Sequence, residues 1–472
     1  MRIELAYPMS AKDIAAAIGA QINVPSKSDT LISALTTDSR EIREGDCFIA
    51  LCGERFDGNA YLGEAYAKGC VAAIGRGALP KSCEQCLFLS TPNTTVALGR
   101  LASYYASLFP HKTIGVTGSV GKTTTKEFLY ATLKDSFRVH KTSGNLNNEL
   151  GLPYTVLSAP KGTEILILEM GMSGLREIAL LSEIAKPDIG IITTIGTSHL
   201  EHLGTRENIC KAKMEITEGM RNNALLLLSG DEPLLLNERT HPLAPRYISV
   251  LGQGDYRSEH IVTTASETCF DAVIGDHRIK DLRIPMAGTH AVHAALFAVA
   301  VALELGLSDD AVRTGIQGYA PSGMRQNARD ITVCGKRIHL IEDCYNAAPE
   351  SMRAALSVCA LHAKENGGRA VCLLGDMKEL GESSEHFHYE IGNAAHRAGI
   401  SLLFTYGNLA AFIAKGAIAS GTGKDLTLSF DGSSAEEAAK EIAAALKDGD
   451  TLLVKASRAM RAEEVITALE AL

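Results

Sequence analysis

No stretch of the 472-residue chain is apolar for anything near the roughly 20 residues a helix needs to cross a bilayer. Runs such as 225–228 and 294–302 are far too short, so a membrane span is not expected. Positive charge is in deficit: 46 Lys and Arg stand against 55 Asp and Glu, a net charge of −9. That balance argues against non-specific binding of nucleic acid or an anionic membrane over the whole surface, and leaves an anionic ligand dependent on local basic clusters. At the N-terminus Glu4 and Pro8 stand where a secretory signal would need a long apolar core, so a cytoplasmic protein is expected. Cys83 and Cys86 form a lone CxxC with no second ligand pair nearby, which does not read as a zinc or redox centre. The 11 cysteines are odd in number and scattered, several in apolar stretches (Cys269, Cys344, Cys359, Cys372), as buried free thiols are in a reducing compartment. Internal repeats and low-complexity segments are absent. Apolar material is not lacking: 46% hydrophobic against 21% charged residues excludes a largely disordered chain, and the length suggests roughly three domains.

What is present is an alternation of strands and helices. Residues 1–90 mix strand-like runs at 31–36, 47–51 and 71–74 with a helix-like stretch at 62–68. Thr91-Pro-Asn93-Thr94 reads as a helix start leading into 96–108. Strands are then expected at 113–117, 164–170, 188–195 and 224–229, with helices at 122–134, 175–185 and 206–219 between them. Leucine-rich or β-branched runs separated by helices point to a mainly parallel sheet covered on both faces. Residues 257–285 alternate with the period of an antiparallel meander, and 291–305 read as a buried helix. Tyr319-Ala-Pro-Ser-Gly323 reads as a linker. Beyond it, strands at 338–341, 370–374, 402–405 and 451–454 alternate with helices at 351–364, 385–398, 435–446 and 462–469. The expected fold class is α/β in three domains, 1–90, 91–320 and 321–472.

Gly115-Val-Thr-Gly118-Ser119-Val120-Gly121-Lys122-Thr123-Thr124 follows an apolar strand and opens a helix, the context a phosphate loop requires. Its glycines let backbone N–H groups approach phosphate oxygens, Lys122 can reach the β- and γ-phosphates, and the Thr123 hydroxyl can meet Mg²⁺. The strict pattern would have glycine at Val116. Glu169 and His199 each follow an apolar strand, at the carboxyl ends where parallel sheets place ligand groups, and together could hold a divalent ion. His202 reads as a surface residue, and helix periodicity alone makes Lys213 a solvated lysine. Asn145, Asn147 and Asn148 offer uncharged donors and acceptors for a sugar–peptide ligand, or a helix-capping loop.

In order and spacing, Thr117-Gly-Ser-Val-Gly-Lys-Thr-Thr, Gly144-Asn145-Leu-Asn147-Asn148-Glu149, Glu169-Met-Gly171, Ser198-His199-Leu-Glu201 and Lys211-Ala-Lys213-Met-Glu215 resemble the Mur ligases, ATP-dependent amide-forming enzymes of peptidoglycan precursor synthesis. Gly288-Thr-His290, Gly323-Met-Arg325, Asp343-Cys-Tyr345-Asn346-Ala-Ala-Pro349-Glu-Ser351-Met352, Leu374-Gly-Asp376-Met-Lys-Glu379-Leu-Gly381 and Lys455-Ala-Ser457-Arg458 continue the likeness. Within the family these later segments resemble the member that joins D-alanyl-D-alanine to a UDP-N-acetylmuramoyl tripeptide. Thr37-Asp38-Ser39-Arg40 and Gly53-Glu-Arg-Phe-Asp57-Gly58 resemble its UDP-binding domain, so the likeness spans nearly the whole chain.

The resemblance implies an N-terminal UDP-binding domain, a central ATP-binding phosphate-loop domain and a C-terminal Rossmann-like ligase domain. It assigns catalysis to Lys122, Lys213, His199 and Arg325, and ATP to Gly118 through Thr124 with His290, Arg325 and Asp343. Two Mg²⁺ ions would be held by Thr123, Glu169, His199 and Lys213, the last as a CO₂-derived carbamate. Substrate contacts would fall to Asp38, Ser39, Arg40, Asn145, Asn147, Asn148, Tyr345, Asn346, Ser351, Lys455, Ser457 and Arg458. The implied partners are small molecules, the UDP-linked tripeptide and D-alanyl-D-alanine, with no nucleic acid, and a monomer is expected. Val120, Ala291, His293 and Ala348 stand where members usually carry Asn, and Ala456 where they carry Gly, so relaxed ATP specificity is expected. Two other readings remain open: another ligase of the same architecture, and a nucleotide-binding protein that does no ligation.

Overall fold

The computed structural model describes residues 1–53, 56–321, 323 and 325–472. Glu54 and Arg55 of the Gly53–Gly58 segment, Ser322 of the expected linker and Met324 lie outside the described residues. By proximity of Cα atoms the chain forms two compact units, one of Met1–Thr117, Lys134–Ile191 and Ala212–Leu226, the other of Gly118–Leu133, Ile192–Lys211 and Leu227–Leu472. Three main sheets run through the sequence in order.

The first sheet has six strands in the order Arg2–Ser10, Leu31–Thr36, Cys47–Ile49, Ala72–Gly75, Leu87–Ser90, Gln21–Ile22. The four inner strands pair in parallel and the two outer ones antiparallel. Cys47–Ile49 and Ala72–Gly75 are buried at every position, as expected of parallel strands covered on both faces. Phe48, Leu62, Ala65, Ala73 and Phe88 form one of the cores packed against the sheet. Helix Ala11–Ile18 starts where the Ser10 side chain accepts from the Asp13 N–H, and ends at Gly19 with φ 68°.

The second sheet has nine strands in the order Val139–Lys141, Ile165–Glu169, Lys112–Thr117, Ile189–Ile192, Leu225–Ser229, Arg246–Ser249, Tyr256–Thr263, Thr268–Ile274, His277–Ile284. The first three run parallel, with Glu169 in register with Val116, and the last three form the expected antiparallel meander. The strand expected over 188–195 stops at Ile192, because Thr193 and Thr194 turn their hydroxyls to the phosphate loop. The helix expected over 206–219 ends at Met214 and tightens into a 3₁₀ turn, Glu215–Glu218. There the Glu215 carboxylate accepts from the N–H groups of Arg176 (2.8 Å) and Ala179 (3.2 Å), which ties this turn to the start of helix Glu177–Ala185.

The third sheet runs Asn327–Val333, Lys336–Asp343, Thr451–Lys455, Ala370–Gly375, Leu402–Tyr406, Thr427–Phe430, an edge hairpin followed by parallel pairings. Alternate residues of its strands feed two cores. Cys372, Leu374, Leu403 and Leu453 pack with helices Pro349–Asn366, Ser384–Arg397 and Ala411–Ala419, while Leu373, Phe404, Leu452 and Val454 pack with Ala435–Ala445 and Glu463–Glu470. The strand Thr451–Lys455 lies between Lys336–Asp343 and Ala370–Gly375, so strand order reverses there and opens a crevice at their carboxyl ends, the usual ligand position in such sheets. Asp343 and Lys455 are in register at that end.

No helix among the described residues is long and apolar enough to cross a membrane. Cys344, Cys359 and Cys372 are buried free thiols, and Cys269, on the meander, is only half-buried.

Candidate active site

The phosphate loop is shaped by the two threonines that follow strand Ile189–Ile192. The Ser119 N–H donates to the Thr194 carbonyl (2.9 Å), and the Val120 N–H donates to Thr194 Oγ1 (3.0 Å). Thr193 Oγ1 and Thr194 Oγ1 both donate to the Val120 carbonyl, at 2.6 and 3.1 Å. Gly118 has φ 148°, and a Cβ there would stand 1.9 Å from Thr193 Oγ1, so the loop closes only on glycine. Gly121, at φ 89°, is also in the left-handed region. Lys122 Nζ donates to the Gly118 carbonyl at 2.6 Å and opens helix Lys122–Leu133, with Thr123 buried behind it. The Ser119 hydroxyl is buried without a hydrogen-bond partner. An orphaned hydroxyl in a glycine cradle at a helix N-terminus fits the oxygens of a nucleotide's phosphates.

His199 sits on the loop between Ile189–Ile192 and the short helix Leu200–Leu203, with φ 66°. Its Nδ1 lies 2.5 Å from Glu379 Oε2, and the contact holds the Glu379 carboxyl below its usual range. The Glu201 N–H donates to the Glu379 carbonyl at 3.1 Å, and Thr197 Oγ1 donates to Glu350 at 3.3 Å. His202 is exposed, as expected.

At the crevice of the third sheet, Lys455 is 2% exposed and its Nζ donates to Asp343 Oδ2 (2.6 Å) and to the Asn346 carbonyl (3.0 Å). Beside it, Asp376 accepts from Lys378 Nζ (2.9 Å) and the Ala410 N–H (2.7 Å), and Ser457 Oγ accepts from the Lys378 N–H (3.0 Å). The Arg325 guanidinium lies 4.0 Å above the Tyr345 ring, a cation–π arrangement that orients it. His290 Nε2 meets Gln326 Oε1 at 3.1 Å, and burial pushes its imidazole below the usual range. The Ser351 hydroxyl is engaged twice by Ala348, donating to its carbonyl and accepting from its N–H, and so caps helix Pro349–Asn366. Arg458 pairs with Glu463.

The other unit carries its own group. Glu169, buried at the end of strand Ile165–Glu169, accepts from Asn147 Nδ2 at 3.1 Å. Asn148 Oδ1 accepts from the Gly151 N–H (2.9 Å), just ahead of helix Gly151–Leu157, while Asn145 is exposed. Asp38 and Arg40 engage each other through two side-chain contacts of 2.8 and 2.7 Å and a backbone N–H at 2.9 Å, which lowers the Asp38 carboxyl well below its usual range. Ser39 is buried between them. Lys213 is 1% exposed, so the solvated lysine of helix periodicity is corrected: the side chain is in the interior, where periodicity within one helix could not place it.

Two residues that shape the phosphate loop, Thr193 and Thr194, were not singled out in the sequence; their signal was a pair of hydroxyls just past an apolar strand. Glu350 and Glu379 stood within quoted motifs without an assigned part. Of the departures, Ala291 is buried in helix Thr289–Glu304, and the His293 ring meets Ser229 Oγ at 3.0 Å, with burial pushing it down to about 4. Ala456 is buried, and its methyl occupies the space where a Cβ on Gly375 would stand, 2.5 Å away.

Residues 116–302 match the Mur ligase middle domain and residues 330–458 the Mur ligase, glutamate ligase domain. A protein of Bacillus subtilis (strain 168) is 37% identical over 459 residues, covering 96% of this chain and 97% of that one. The chain belongs to the Mur ligase family, α/β enzymes built in three domains. The Bacillus subtilis relative is the UDP-N-acetylmuramoyl-tripeptide–D-alanyl-D-alanine ligase. Two similar solved structures are MurF from Acinetobacter baumannii (TM-score 0.89, 29% identity, 100% of both chains) and MurF from Thermotoga maritima in complex with ADP (TM-score 0.82, 31% identity, 93% of this chain and 97% of that one).

Proposed function

We propose that this chain is an ATP-dependent ligase that joins D-alanyl-D-alanine to a UDP-N-acetylmuramoyl tripeptide, forming the UDP-muramoyl pentapeptide precursor of peptidoglycan. One observation carries the reading: a phosphate loop closed to any side chain at Gly118, in a chain alike over 96% of its length to a ligase of that name. A carboxylate is a poor electrophile at neutral pH, which is why ATP is needed. The terminal carboxylate of the tripeptide attacks the γ-phosphorus, giving an acyl phosphate and ADP. The dipeptide amine then attacks the acyl carbon, and phosphate leaves from the tetrahedral intermediate.

In this reading residues 1–90 bind the UDP end through Asp38, Ser39 and Arg40, residues 91–320 bind ATP, and residues 321–472 complete the site. The backbone of Gly118–Thr124 and the Lys122 ammonium bind the phosphates, with His290 and Asp343 toward the nucleoside. Arg325 neutralises charge that builds on the transferring phosphoryl group, and its stacking on Tyr345 supports that orientation. Asn145, Asn147, Asn148, Tyr345, Asn346, Ser351, Lys455, Ser457 and Arg458 contact the two acceptor substrates. Thr123, Glu169, His199 and Lys213, the last as a carbamate, would hold Mg²⁺, which supplies charge neutralisation when bound. A buried lysine 1% exposed supports the carbamate, since an anion at that position suits a metal where an ammonium would be repelled. The enzyme acts in the cytoplasm as a monomer.

The test is incubation with Mg-ATP and UDP-N-acetylmuramoyl tripeptide, ending in lysine or in diaminopimelate, with and without D-alanyl-D-alanine. Phosphate release and a product heavier by one dipeptide less water are expected, both dependent on the dipeptide. Unchanged nucleotide and mass with both tripeptides would leave a nucleotide-binding protein instead.

A further inference from the structure

The loop that carries His199 is gripped by two carboxylates from elements flanking the third sheet. Glu350, in the first turn of helix Pro349–Asn366, accepts from Thr197 Oγ1 at 3.3 Å, and a Cβ on Gly196 would stand only 3.0 Å from the same carboxylate. Glu379 Oε2 lies 2.5 Å from His199 Nδ1, an ion-pair contact at a buried ring atom that has no hydrogen-bond partner of regular geometry among the described residues. The Glu379 carbonyl accepts from the Glu201 N–H at 3.1 Å, so side chain and main chain of Glu379 hold His199 and, two residues on, the first turn of the short helix that follows it. Both partners are strained: His199 has φ 66° and Glu379 φ 64°, in the left-handed region that non-glycine residues disfavour. Two strained residues facing each other across one short contact indicate a geometry held for a purpose.

An imidazole has two distinct nitrogens, and a carboxylate at Nδ1 draws the proton there and presents Nε2 as a lone-pair donor. Histidines that ligate metals as a rule give their other ring nitrogen a partner, a carboxylate, a backbone carbonyl or water. We infer that Glu379 is a positioning residue that locks His199 in the Nδ1–H tautomer and leaves Nε2 as the lone-pair donor that a divalent ion would take. The inference rests on the reading of His199 as a metal ligand. Glu350 acts beside it by holding Thr197, two residues upstream, so that the loop cannot swing the ring away.

Glu379→Gly is the informative variant, because φ 64° suits glycine and the carboxylate is removed without backbone strain. Glu379→Gln is its conservative partner, since the amide oxygen can still accept from Nδ1–H. On ¹⁵N-histidine protein without metal, ring nitrogen–carbon-proton correlations, assigned by loss of signals in His199→Gln, report the tautomer. The wild type is expected to carry its proton on Nδ1, Glu379→Gly to average between tautomers, and Glu379→Gln to keep the wild-type pattern. Mn²⁺ binding in the presence of ADP, read by electron paramagnetic resonance, is expected to weaken roughly 10- to 100-fold in Glu379→Gly and far less in Glu379→Gln. A wild-type His199 protonated on Nε2 overturns the inference even if the glycine variant does not fold. So does a glycine variant whose tautomer and Mn²⁺ affinity stay within about twofold of wild type. Wild-type protein that binds no Mn²⁺ with ADP overturns both the ligand role of His199 and the inference, whereas Mn²⁺ binding without dipeptide-dependent product overturns only the ligase reading.

Discussion

Replacing Gly118 by alanine tests the phosphate loop where it is tightest. The added methyl would meet Thr193 Oγ1 at 1.9 Å, with Thr193 Cβ and N both at 3.1 Å behind it. Ordinary contact needs roughly 3 Å or more, so loop and threonine must part by about 1 Å. Alanine also disfavours φ 148°. The movement pulls on the contacts that Thr193 and Thr194 make with Ser119 and Val120, and so on the N–H groups aimed at the phosphates. Losing one or two charge-assisted hydrogen bonds at about 1.5–3 kcal/mol each corresponds to a loss of nucleotide affinity of roughly 10- to 10⁴-fold. Calorimetric titration with Mg-ADP reads this directly. Thr193→Ala removes the atom at 1.9 Å and leaves the next at 3.1 Å, so the double variant should regain part of the lost affinity. Gly118→Ala that binds Mg-ADP within twofold of wild type would refute the reasoning, as would a double variant weaker than wild type by the full sum of the two separate losses.

Two further predictions come from buried charge. Lys455→Met leaves the Asp343 carboxylate in the interior without its cation, and is expected to cost about 3–5 kcal/mol, whereas replacing both residues with apolar ones of similar volume costs much less; thermal unfolding of the two single variants and the double one checks this. Burial pushes His362 and His293 down to about 4, with His339 adding to the effect at His362. Both stay neutral in the folded chain while their unfolded counterparts take up protons near 6.5, so stability is full above pH 6.5 and falls as pH drops from there toward 4. The midpoint of urea unfolding followed from pH 7.5 to 4.5 should decline, and His362→Gln should flatten the decline.

Much of the candidate site can be proposed from sequence because its chemistry is local. The phosphate loop declares itself through glycines between an apolar strand and a helix, and Glu169 and His199 through their position just past apolar runs. The most buried parallel strands of all three sheets showed because burial on both faces leaves little but Leu, Ile, Val and Ala in them, whereas Leu87–Ser90, Val139–Lys141, Arg246–Ser249 and Thr427–Phe430, also paired in parallel, were not read as strands. Where pairing is at an edge the pattern fades. Arg2–Ser10 shifts register between Glu4 and Met9, and Asn327–Val333 alternates polar and apolar residues and is fixed by its hairpin partner instead. Lys213 shows the same limit in the site itself: one helix contains the period of its own exposed face, not what will cover it. The Glu379 contact with His199 joins residues 180 positions apart, and the left-handed φ of both is invisible in residue types that rarely adopt it.

The methyl of Ala456 resting on Gly375 restricts the order in which the two positions can change. With alanine at 456, any side chain at 375 collides at 2.5 Å, so the route by which position 375 could acquire one passes first through glycine at 456. Position 375 ends a central strand beside Asp376, and position 456 follows Lys455, so each step along that route falls next to the crevice. A library that randomises 375 while holding alanine at 456 would report 375 as intolerant, whereas a paired library would find that the severest part of that intolerance belongs to the pair, the remaining contact being the Tyr406 carbonyl at 3.3 Å.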